Sequence, residues 1–247
     1  MRAPVLSVNV FRHDPGLLDG LRDDAARGVL AVGEAEVVSH ERGIVELASP
    51  RAGFGLLVLD GFVSREATVI DRTSVELMGG GDVLRPWQDE RAEAPVPVAS
   101  QYRAVTAVRL AVLDAGFARR VAPWPAVADA ICTRLVERGR WLALQLALAR
   151  LRRVEDRVLI LLWHLADRWG RVERDGTVVC PVPVTHELLA GMTASQRPTV
   201  STALGQLTAE GRILKHGEGW ALRGEPPTAS ELEGKTLADA FRLRPED

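Results

Sequence analysis

Residues 184–207 read VTHELLAGMTASQRPTVSTALGQL and predict two short helices joined by a tight turn. Thr185 is the predicted N-cap of the first helix, because its side chain can accept a bond from a free first-turn amide. Pro198 fits only in the first turn of the second helix, where its missing N–H is not needed. The predicted inward residues are Leu188, Leu189, Met192, Val200, Ala203, Leu204 and Leu207.

A predicted hairpin follows these two helices. Gly211 is expected to end the second helix, since glycine readily adopts the left-handed conformation found after helix ends. Residues 213–215 and 220–222 flank the glycine-rich tip His216-Gly217-Glu218-Gly219, and residues 178–182 predict a short edge strand before the module. Two helices followed by such a hairpin, or wing, are typical of units that read DNA.

The outer face of the second helix carries the predicted DNA contacts. Arginine can bind guanine through two acceptors and glutamine can pair with adenine, while hydroxyls and helix-start amides suit phosphate oxygens. The predicted contact residues are Thr185, Ser195, Gln196, Arg197, Pro198, Thr199, Ser201, Thr202, Lys215 and His216. The alternative is a small module that packs on another protein, because helix-turn-helix patterns also arise by chance.

The sequence pattern of the first half of the chain is typical of short antiparallel strands. Apolar and polar residues alternate in several glycine-punctuated runs, as in half-buried strands. The predicted strands are residues 35–39, 43–47, 55–59, 67–71, 75–78 and 105–113, with a loop at 85–100 and a short helix near 17–27. Strands this short predict a small antiparallel β-barrel or jelly roll, and the fold class is therefore α+β.

A long amphipathic helix is predicted between these two regions, over residues 124–150. Its apolar positions recur at three-, four- and seven-residue steps: Val127, Ile131, Leu135, Leu142, Leu146 and Ala149. It either lies on the barrel or pairs with its twofold mate, and we favour pairing because the stripe is long for a small barrel. A second helix is predicted over residues 153–169 and ends at Gly170.

Composition argues against several other classes of protein. The net charge of −2 says little about partners, and Cys132 and Cys180 are too few for a disulfide framework or a multi-cysteine metal site. The five histidines lack metal-ligand spacing, and neither GxSxG nor GxxxxGK[ST] occurs. Gly79-Gly80-Gly81-Asp82 is better interpreted as a turn than as a phosphate site, and His164 as a packed side chain. We expect a cytoplasmic protein that is not an enzyme, needs no cofactor and does not enter a membrane.

The order of these parts resembles the Crp/Fnr superfamily of transcription regulators. Residues 194–201 (ASQRPTVS) match the family's small-x-[ST]-R-x-T-V-[ST] recognition helix, and Gly61 and Gly81-Asp82 look like its barrel landmarks. The resemblance implies a homodimer on double-stranded DNA, with palindromic half-sites about 34 Å apart, and contact with RNA polymerase. It gives four parts: a sensor-like barrel (1–123), a dimerisation helix (124–152), a winged helix-turn-helix (153–224) and a tail (225–247).

The sequence also departs from the family pattern. Pro198 and Thr202 replace an acidic residue and a second arginine that are common there, so the operator is expected to differ from the standard one. Cyclic-nucleotide binders carry Gly-Glu soon after the Gly-Asp landmark, followed by an arginine with serine or threonine, and both pairs are missing here. Cyclic AMP is therefore not the expected effector, and the N-terminal cysteine cluster of iron–sulfur members is also missing.

Three possibilities remain for the effector: another small molecule, a protein partner, or none. The candidate pocket residues are Arg85, Trp87, Tyr102 and Arg103, although barrel packing would explain the aromatic residues equally well. The alternative to a DNA-binding regulator is a ligand-binding or protein-interaction module whose winged helix docks protein.

Overall fold

The computed structural model describes residues 6–47, 52–86 and 98–228, which divide into two compact units, Met1–Leu142 and Ala143–Asp247. The strands of the first unit are β1 (Ser7–Asn9), β2 (Glu34–His40), β3 (Gly43–Val45), β4 (Gly53–Asp60), β5 (Val63–Val69), β6 (Arg72–Met78), β7 (Val83–Leu84), β8 (Ala99–Ala104) and β9 (Val108–Asp114). Its helices are α1 (Val10–His13), a 3-10 turn (Pro15–Leu18), α2 (Asp23–Val32) and α3 (Ala115–Val121). Helix α4 (Pro125–Leu148) begins in this unit and ends in the next.

Two antiparallel sheets form the core of the first unit. One sheet has the order β1-β2-β9-β4-β7 and the other β3-β8-β5-β6. The apolar residues between them are Val45, Leu56, Val58, Val63, Met78, Leu84, Tyr102, Ala104, Val108 and Leu110. Because the sheets face each other across these side chains, the predicted antiparallel β domain is confirmed.

Helices cover the other face of the five-stranded sheet. Leu57 and Leu59 of β4 pack there against Phe117 of α3 and against Val127 and Ile131 of α4. This sheet is therefore buried on both faces, which explains why residues 56–59 are a continuous apolar run rather than an alternating one. Gly61 follows β4 with φ +82°, and a Cβ there would lie 2.1 Å from the Ala107 carbonyl oxygen, so only glycine fits.

Several element boundaries differ from the sequence prediction. The strand expected at 67–71 is β5, and a two-residue turn at Ile70-Asp71 joins it to β6. The strand expected at 105–113 begins only at Val108. The helix expected near 17–27 is wrong, since a 3-10 turn and α2 lie there with a break between them. The structure describes only residues 85–86 and 98–100 of the expected loop at 85–100, and β8 already begins at Ala99.

Ile70, at the tip of the β5–β6 hairpin, adopts φ +59° although it is β-branched, and it is 96% exposed. Left-handed backbone costs non-glycine residues about 1–2 kcal/mol, and asparagine tolerates it better. We therefore predict that Ile70→Asn raises the free energy of unfolding by about 1 kcal/mol. Urea titration of wild type, Ile70→Asn and the neighbouring control Val69→Asn measures this. A variant no more stable than wild type would show that Ile70 is not strained.

The second unit contains α5 (Val154–Trp169), β10 (Arg171–Val172), β11 (Val178–Cys180), α6 (His186–Met192), α7 (Arg197–Ala209), β12 (Ile213–His216) and β13 (Gly219–Leu222). Its sheet has the order β10-β11-β13-β12 and is antiparallel throughout. The predicted helix-turn-helix with its wing is thereby confirmed, as is the α+β class. In the described ranges, none of the helices has the length and apolar character that crossing a membrane requires. Of the predicted tail, residues 229–247 lie outside the described part of the chain.

The apolar stripe that we assigned to α4 divides between two environments. Val127 and Ile131 are buried in the first unit's core and Leu135 packs against it, so this part of the stripe lies on the β domain. Leu146, in contrast, is 73% exposed. A different stripe is exposed at four- and three-residue steps, and we call it the α4 stripe: Cys132, Val136, Gly139, Ala143 and Leu146.

Candidate nucleic-acid interface

Helix α6 begins where the sequence predicts. The Thr185 side-chain oxygen accepts a hydrogen bond from the Leu188 amide at 3.1 Å, as an N-cap does. Leu188, Leu189 and Met192 are buried. The Thr185 hydroxyl proton is not used in this bond, and donating it would suit a phosphate oxygen.

The turn between α6 and α7 has a specific hydrogen-bonded geometry. Thr193 is fully buried and its hydroxyl donates to the Leu189 carbonyl at 2.7 Å. Ala194 is left-handed at φ +50°, and the Ser195 amide donates to the Ala190 carbonyl at 2.9 Å. The Ser195 hydroxyl donates to the Thr193 carbonyl at 3.1 Å, so its proton is used within the turn and is not available to a phosphate oxygen.

Two side chains from outside the motif bind the carbonyls of this turn. Arg157 of α5 donates through Nη1 to the Thr193 carbonyl at 3.2 Å and the Ala194 carbonyl at 3.4 Å. Gln145, at the C-terminal end of α4, donates to the Met192 carbonyl at 3.5 Å. Both pair carbonyls that α6 leaves free at its C-terminal end. Our sequence prediction included neither residue among the functional ones.

Helix α7 starts at Arg197, with Gln196 as its N-cap and Pro198 in the first turn. The predicted inward residues Val200, Ala203, Leu204 and Leu207 are buried, while the predicted contacts from Gln196 to Thr199 are exposed. The Arg197 guanidinium makes no hydrogen bond or ion pair with any residue in the described part of the chain. A cation at a helix N-terminus is disfavoured by the helix dipole, so Arg197 does not stabilise the fold at this position. Its guanidinium is instead available to bind an external anion or hydrogen-bond acceptor.

The hydroxyls on the outer face of α7 are partly engaged within the helix. Ser201 donates to the Arg197 carbonyl at 3.0 Å, and Thr202 donates to the Pro198 carbonyl at 3.2 Å. His186 Nδ1 lies 2.8 Å from the Ser201 oxygen and links α6 to α7. With their protons used in this way, both hydroxyls face outward as acceptors, which suits base amino groups better than phosphates.

The wing holds one of its two predicted contacts against its own hairpin. Lys215 Nζ donates to the Glu218 carbonyl at 2.8 Å and lies 4.8 Å from the centre of the Trp220 ring. His216 is exposed beside Gly217, whose φ of +55° fits the first position of a tight hairpin turn. The ammonium stays exposed, so the wing presents a positioned cation.

Among the described residues of the predicted effector pocket, Tyr102 and Arg103 lie on opposite faces of one strand. Trp87 lies outside the described residues, and Arg85 donates to the Gly53 carbonyl at 3.5 Å. Tyr102 is buried between the sheets, whereas Arg103 pairs with Glu66 at 3.0 Å on the opposite face of the same strand. Adjacent strand residues point to opposite faces, so Tyr102 and Arg103 cannot line a single cavity.

A charged cluster lies beside Tyr102 instead. Arg65 stands opposite both Tyr102 and Glu76 in the sheet, on the inner face. Glu76 is only 3% exposed; it accepts from Arg138 Nη2 of α4 at 2.8 Å and lies 3.4 Å from Arg65 Nε. Although burial alone would lower it, the pKa of Arg138 is raised by Glu76, so the Arg138 guanidinium stays charged. The Arg65–Glu76–Arg138 cluster attaches α4 to the inner face of the sheet.

Two buried titratable residues of the second unit have shifted pKa values. Burial, with a contribution from Arg168, lowers the pKa of His164 to about 4, so this histidine is neutral at pH 7. Burial raises the pKa of Cys180 to about 11, which leaves its thiol unreactive. Within the described ranges, no group of three or more histidine, cysteine and acidic residues is placed to hold a metal ion.

The geometry of α5 to the wing matches a known family of DNA-binding domains. Residues 156–223 match the Crp-like helix-turn-helix domain. The second unit therefore contains a Crp-like helix-turn-helix domain. The matched residues all lie in the second unit, and the first unit is a separate β-rich domain.

Solved structures share this chain's fold across most of its length. The c-di-GMP-responsive global regulator CLP of Xanthomonas campestris is 20% identical with a TM-score of 0.57, and the match covers 83% of this chain and 100% of that one. FixK2 of Bradyrhizobium japonicum is 17% identical at TM-score 0.56, with coverages of 77% and 93%. A cyclic nucleotide-binding domain containing protein of Listeria monocytogenes is 16% identical at TM-score 0.60, with coverages of 75% and 87%. No curated protein matches the chain in sequence.

Proposed function

We propose that this chain is a transcription regulator of the Crp/Fnr family, and that it reads a specific DNA sequence through the N-terminal end of α7. The observation that carries this proposal is the exposed Arg197 guanidinium, which has no partner among the described residues and stands on a helix whose opposite face is buried. Arginine binds the O6 and N7 acceptors of guanine in the major groove better than any other base edge. Gln196, Pro198 and Thr199 lie beside it on the exposed first turn.

The neighbouring side chains favour particular bases. Ser201 and Thr202 offer acceptors, so they suit the amino groups of adenine or cytosine. Pro198 offers an apolar surface that suits a thymine methyl group. We therefore propose an operator in which a guanine lies next to positions of this kind, and which differs from the family's standard operator.

We also propose that the regulator acts as a homodimer on a palindrome, with residues 124–152 as its dimerisation helix. The α4 stripe supports this, because exposed apolar residues at alternating four- and three-residue steps are the pattern of a two-helix seam. Val136 is 55% exposed, and Gly139 has no atom within 4 Å of a built Cβ, which leaves room for close approach of a second helix. Twofold symmetry then sets the half-sites about 34 Å apart.

The double variant Val136→Glu/Leu146→Glu tests the dimer. We expect it to sediment as a monomer at micromolar concentration, because it places like charges across the seam, while wild type sediments as a dimer. Thr133→Glu adds the same charge to α4 outside the stripe and should leave the dimer intact. If both variants kept the wild-type mass, the α4 stripe would not be the seam.

We further propose that cyclic AMP is not the effector. Gly81-Asp82 leads directly into Val83-Leu84 without the residues that hold a ribose and a phosphate. The Arg65–Glu76–Arg138 cluster supports the proposal, because an internal carboxylate already neutralises arginine charge on the inner face of the sheet. The proposed alternatives for the effector are another small molecule, a protein partner, or none. RNA polymerase is proposed separately as a partner of the DNA-bound protein.

Selection of duplexes from a random pool by the full chain tests the proposed function. At low salt we expect enrichment of palindromes that contain guanine in each half-site, followed by binding that weakens steeply with salt. A thermal-shift series with cyclic AMP should leave the unfolding temperature unchanged. Failure to enrich any palindrome would overturn sequence-specific binding and favour a winged helix that docks protein.

A further inference from the structure

The carbonyls at the C-terminal end of α6 are paired by side chains from other helices. Met192, Thr193 and Ala194 are consecutive, and each of their carbonyl oxygens accepts a bond from Gln145 or Arg157. Ala194 has left-handed backbone, which is unfavourable for a residue other than glycine. The side-chain bonds therefore support the turn at its most strained residue. This turn sets where α7, and therefore Arg197, begins.

Arg157 binds a second segment with the rest of its guanidinium. Its Nε donates to the Leu151 carbonyl at 2.8 Å, and its Nη2 donates to the same oxygen. Leu151 lies in the connection between α4, which ends at Leu148, and α5, which begins at Val154. One planar side chain thus joins the α4–α5 connection to the α6–α7 turn, a geometry that lysine cannot reproduce.

The chemistry of Arg157 differs from that of a phosphate contact. Its donors point at backbone carbonyls and at the Ser195 hydroxyl, 3.5 Å away. It forms no ion pair with a carboxylate among the described residues, so the carbonyl dipoles at the end of α6 balance its charge. A guanidinium oriented inward in this way has few N–H groups left for an external anion.

We infer that Arg157 is a positioning residue for DNA recognition: it fixes the start of α7 relative to the α4–α5 connection. The inference rests on the proposed sequence-specific binding and names a residue that acts through Arg197 rather than on DNA. Because base readout requires side chains held within a fraction of an ångström, loosening the turn weakens specific binding selectively. A displacement of the Leu151 backbone would also displace the Arg157 guanidinium, and with it the α6–α7 turn to which the guanidinium is bonded.

The test compares Arg157→Ala and Arg157→Lys with Arg174→Ala, which removes an exposed arginine elsewhere in the second unit. Both Arg157 variants should bind the selected operator about 10- to 100-fold more weakly, the loss typical of removing a support from a pre-organised site. Binding to unrelated duplex, and the slope of log affinity against log salt, should match wild type. Arg174→Ala should keep operator affinity within about twofold.

Hydrogen exchange of the Ser195 amide gives a readout that does not depend on DNA. This amide bonds to Ala190 across the turn, and it should exchange at least tenfold faster in Arg157→Ala but not in Arg197→Ala. Arg157→Lys serves if the alanine variant fails to fold. Equal losses on operator and unrelated duplex, with the salt slope reduced by about one, would make Arg157 a phosphate contact and overturn the inference. Unchanged exchange would also overturn it, whereas absence of any selected operator would count against the proposed function alone.

Discussion

Arg197→Ala should lower affinity for the selected operator by about 1–3 kcal/mol, or roughly 5- to 150-fold, without lowering stability. The loss is expected because alanine removes both donors to guanine. The effect should be confined to the guanine position: duplexes in which that base pair is changed should bind wild type and variant alike. Fluorescence polarisation on the operator and on the single-base-pair variant measures both numbers.

Arg197→Ala should raise the stability of the fold although it lowers the affinity for DNA. Arg197 is the first residue of α7, where a positive charge opposes the helix dipole by about 0.3–1 kcal/mol. Its removal should therefore raise the unfolding temperature slightly, and Arg197→Glu should raise it further while abolishing specific binding. Arg197 would then lower the stability of the fold while raising the affinity for DNA, a combination that is expected of a functional residue.

Arg197→Lys and Arg212→Ala are the matched controls. Lysine keeps the charge but loses the two-pronged donor geometry, so Arg197→Lys should resemble Arg197→Ala on the operator and wild type on unrelated DNA. Arg212 lies between α7 and β12, away from the predicted contacts, and its loss should change affinity by less than about threefold. Operator affinity unchanged in Arg197→Ala would show that Arg197 does not read a base.

The winged module was predictable because its sequence cues are local. The inward stripe of α7, the Thr185 cap and the position of Pro198 follow from interactions within a few residues, and all three occur as predicted. Helix α3 had a cue of the same kind that we did not use. Asp114 Oδ1 accepts from the Phe117 amide at 2.7 Å, which is an ordinary N-cap.

Features that depend on distant residues were not predictable. Strand β8 contains Ser100, Gln101 and Arg103, which hide the alternation, and it is a strand because β3 and β5 pair with it on both sides. Arg157 resembles other arginines of its region until the turn at Thr193 and Ala194 is placed beside it. The two faces of α4 were confused for the same reason, since spacing shows that a stripe exists but not what covers it.

Removal of Glu76 should strongly destabilise the first unit. Glu76→Ala leaves Arg138, whose side chain is 15% exposed, without its carboxylate, and it also removes one ion-pair partner of Arg65. Breaking a buried ion pair by deleting one partner costs about 3–5 kcal/mol, because the remaining charge stays in a poorly solvated site. Urea unfolding of the full chain, monitored by the tryptophans and by circular dichroism, should show this loss in the transition of the first unit.

Replacing both partners by apolar residues measures the net contribution of the ion pair to stability. It does so without leaving one buried charge unpaired. Glu76→Leu/Arg138→Met should be within about 1–2 kcal/mol of wild type, since a buried pair often does no better than well-packed hydrophobic side chains. The exposed pair Arg109–Asp60, at 2.9 Å, is the matched control, and Asp60→Ala should cost less than about 1 kcal/mol. A double variant as unstable as Glu76→Ala would show that the charges, and not the filled space, hold α4 to the sheet. In the expected case the cluster contributes little net stability compared with an apolar replacement.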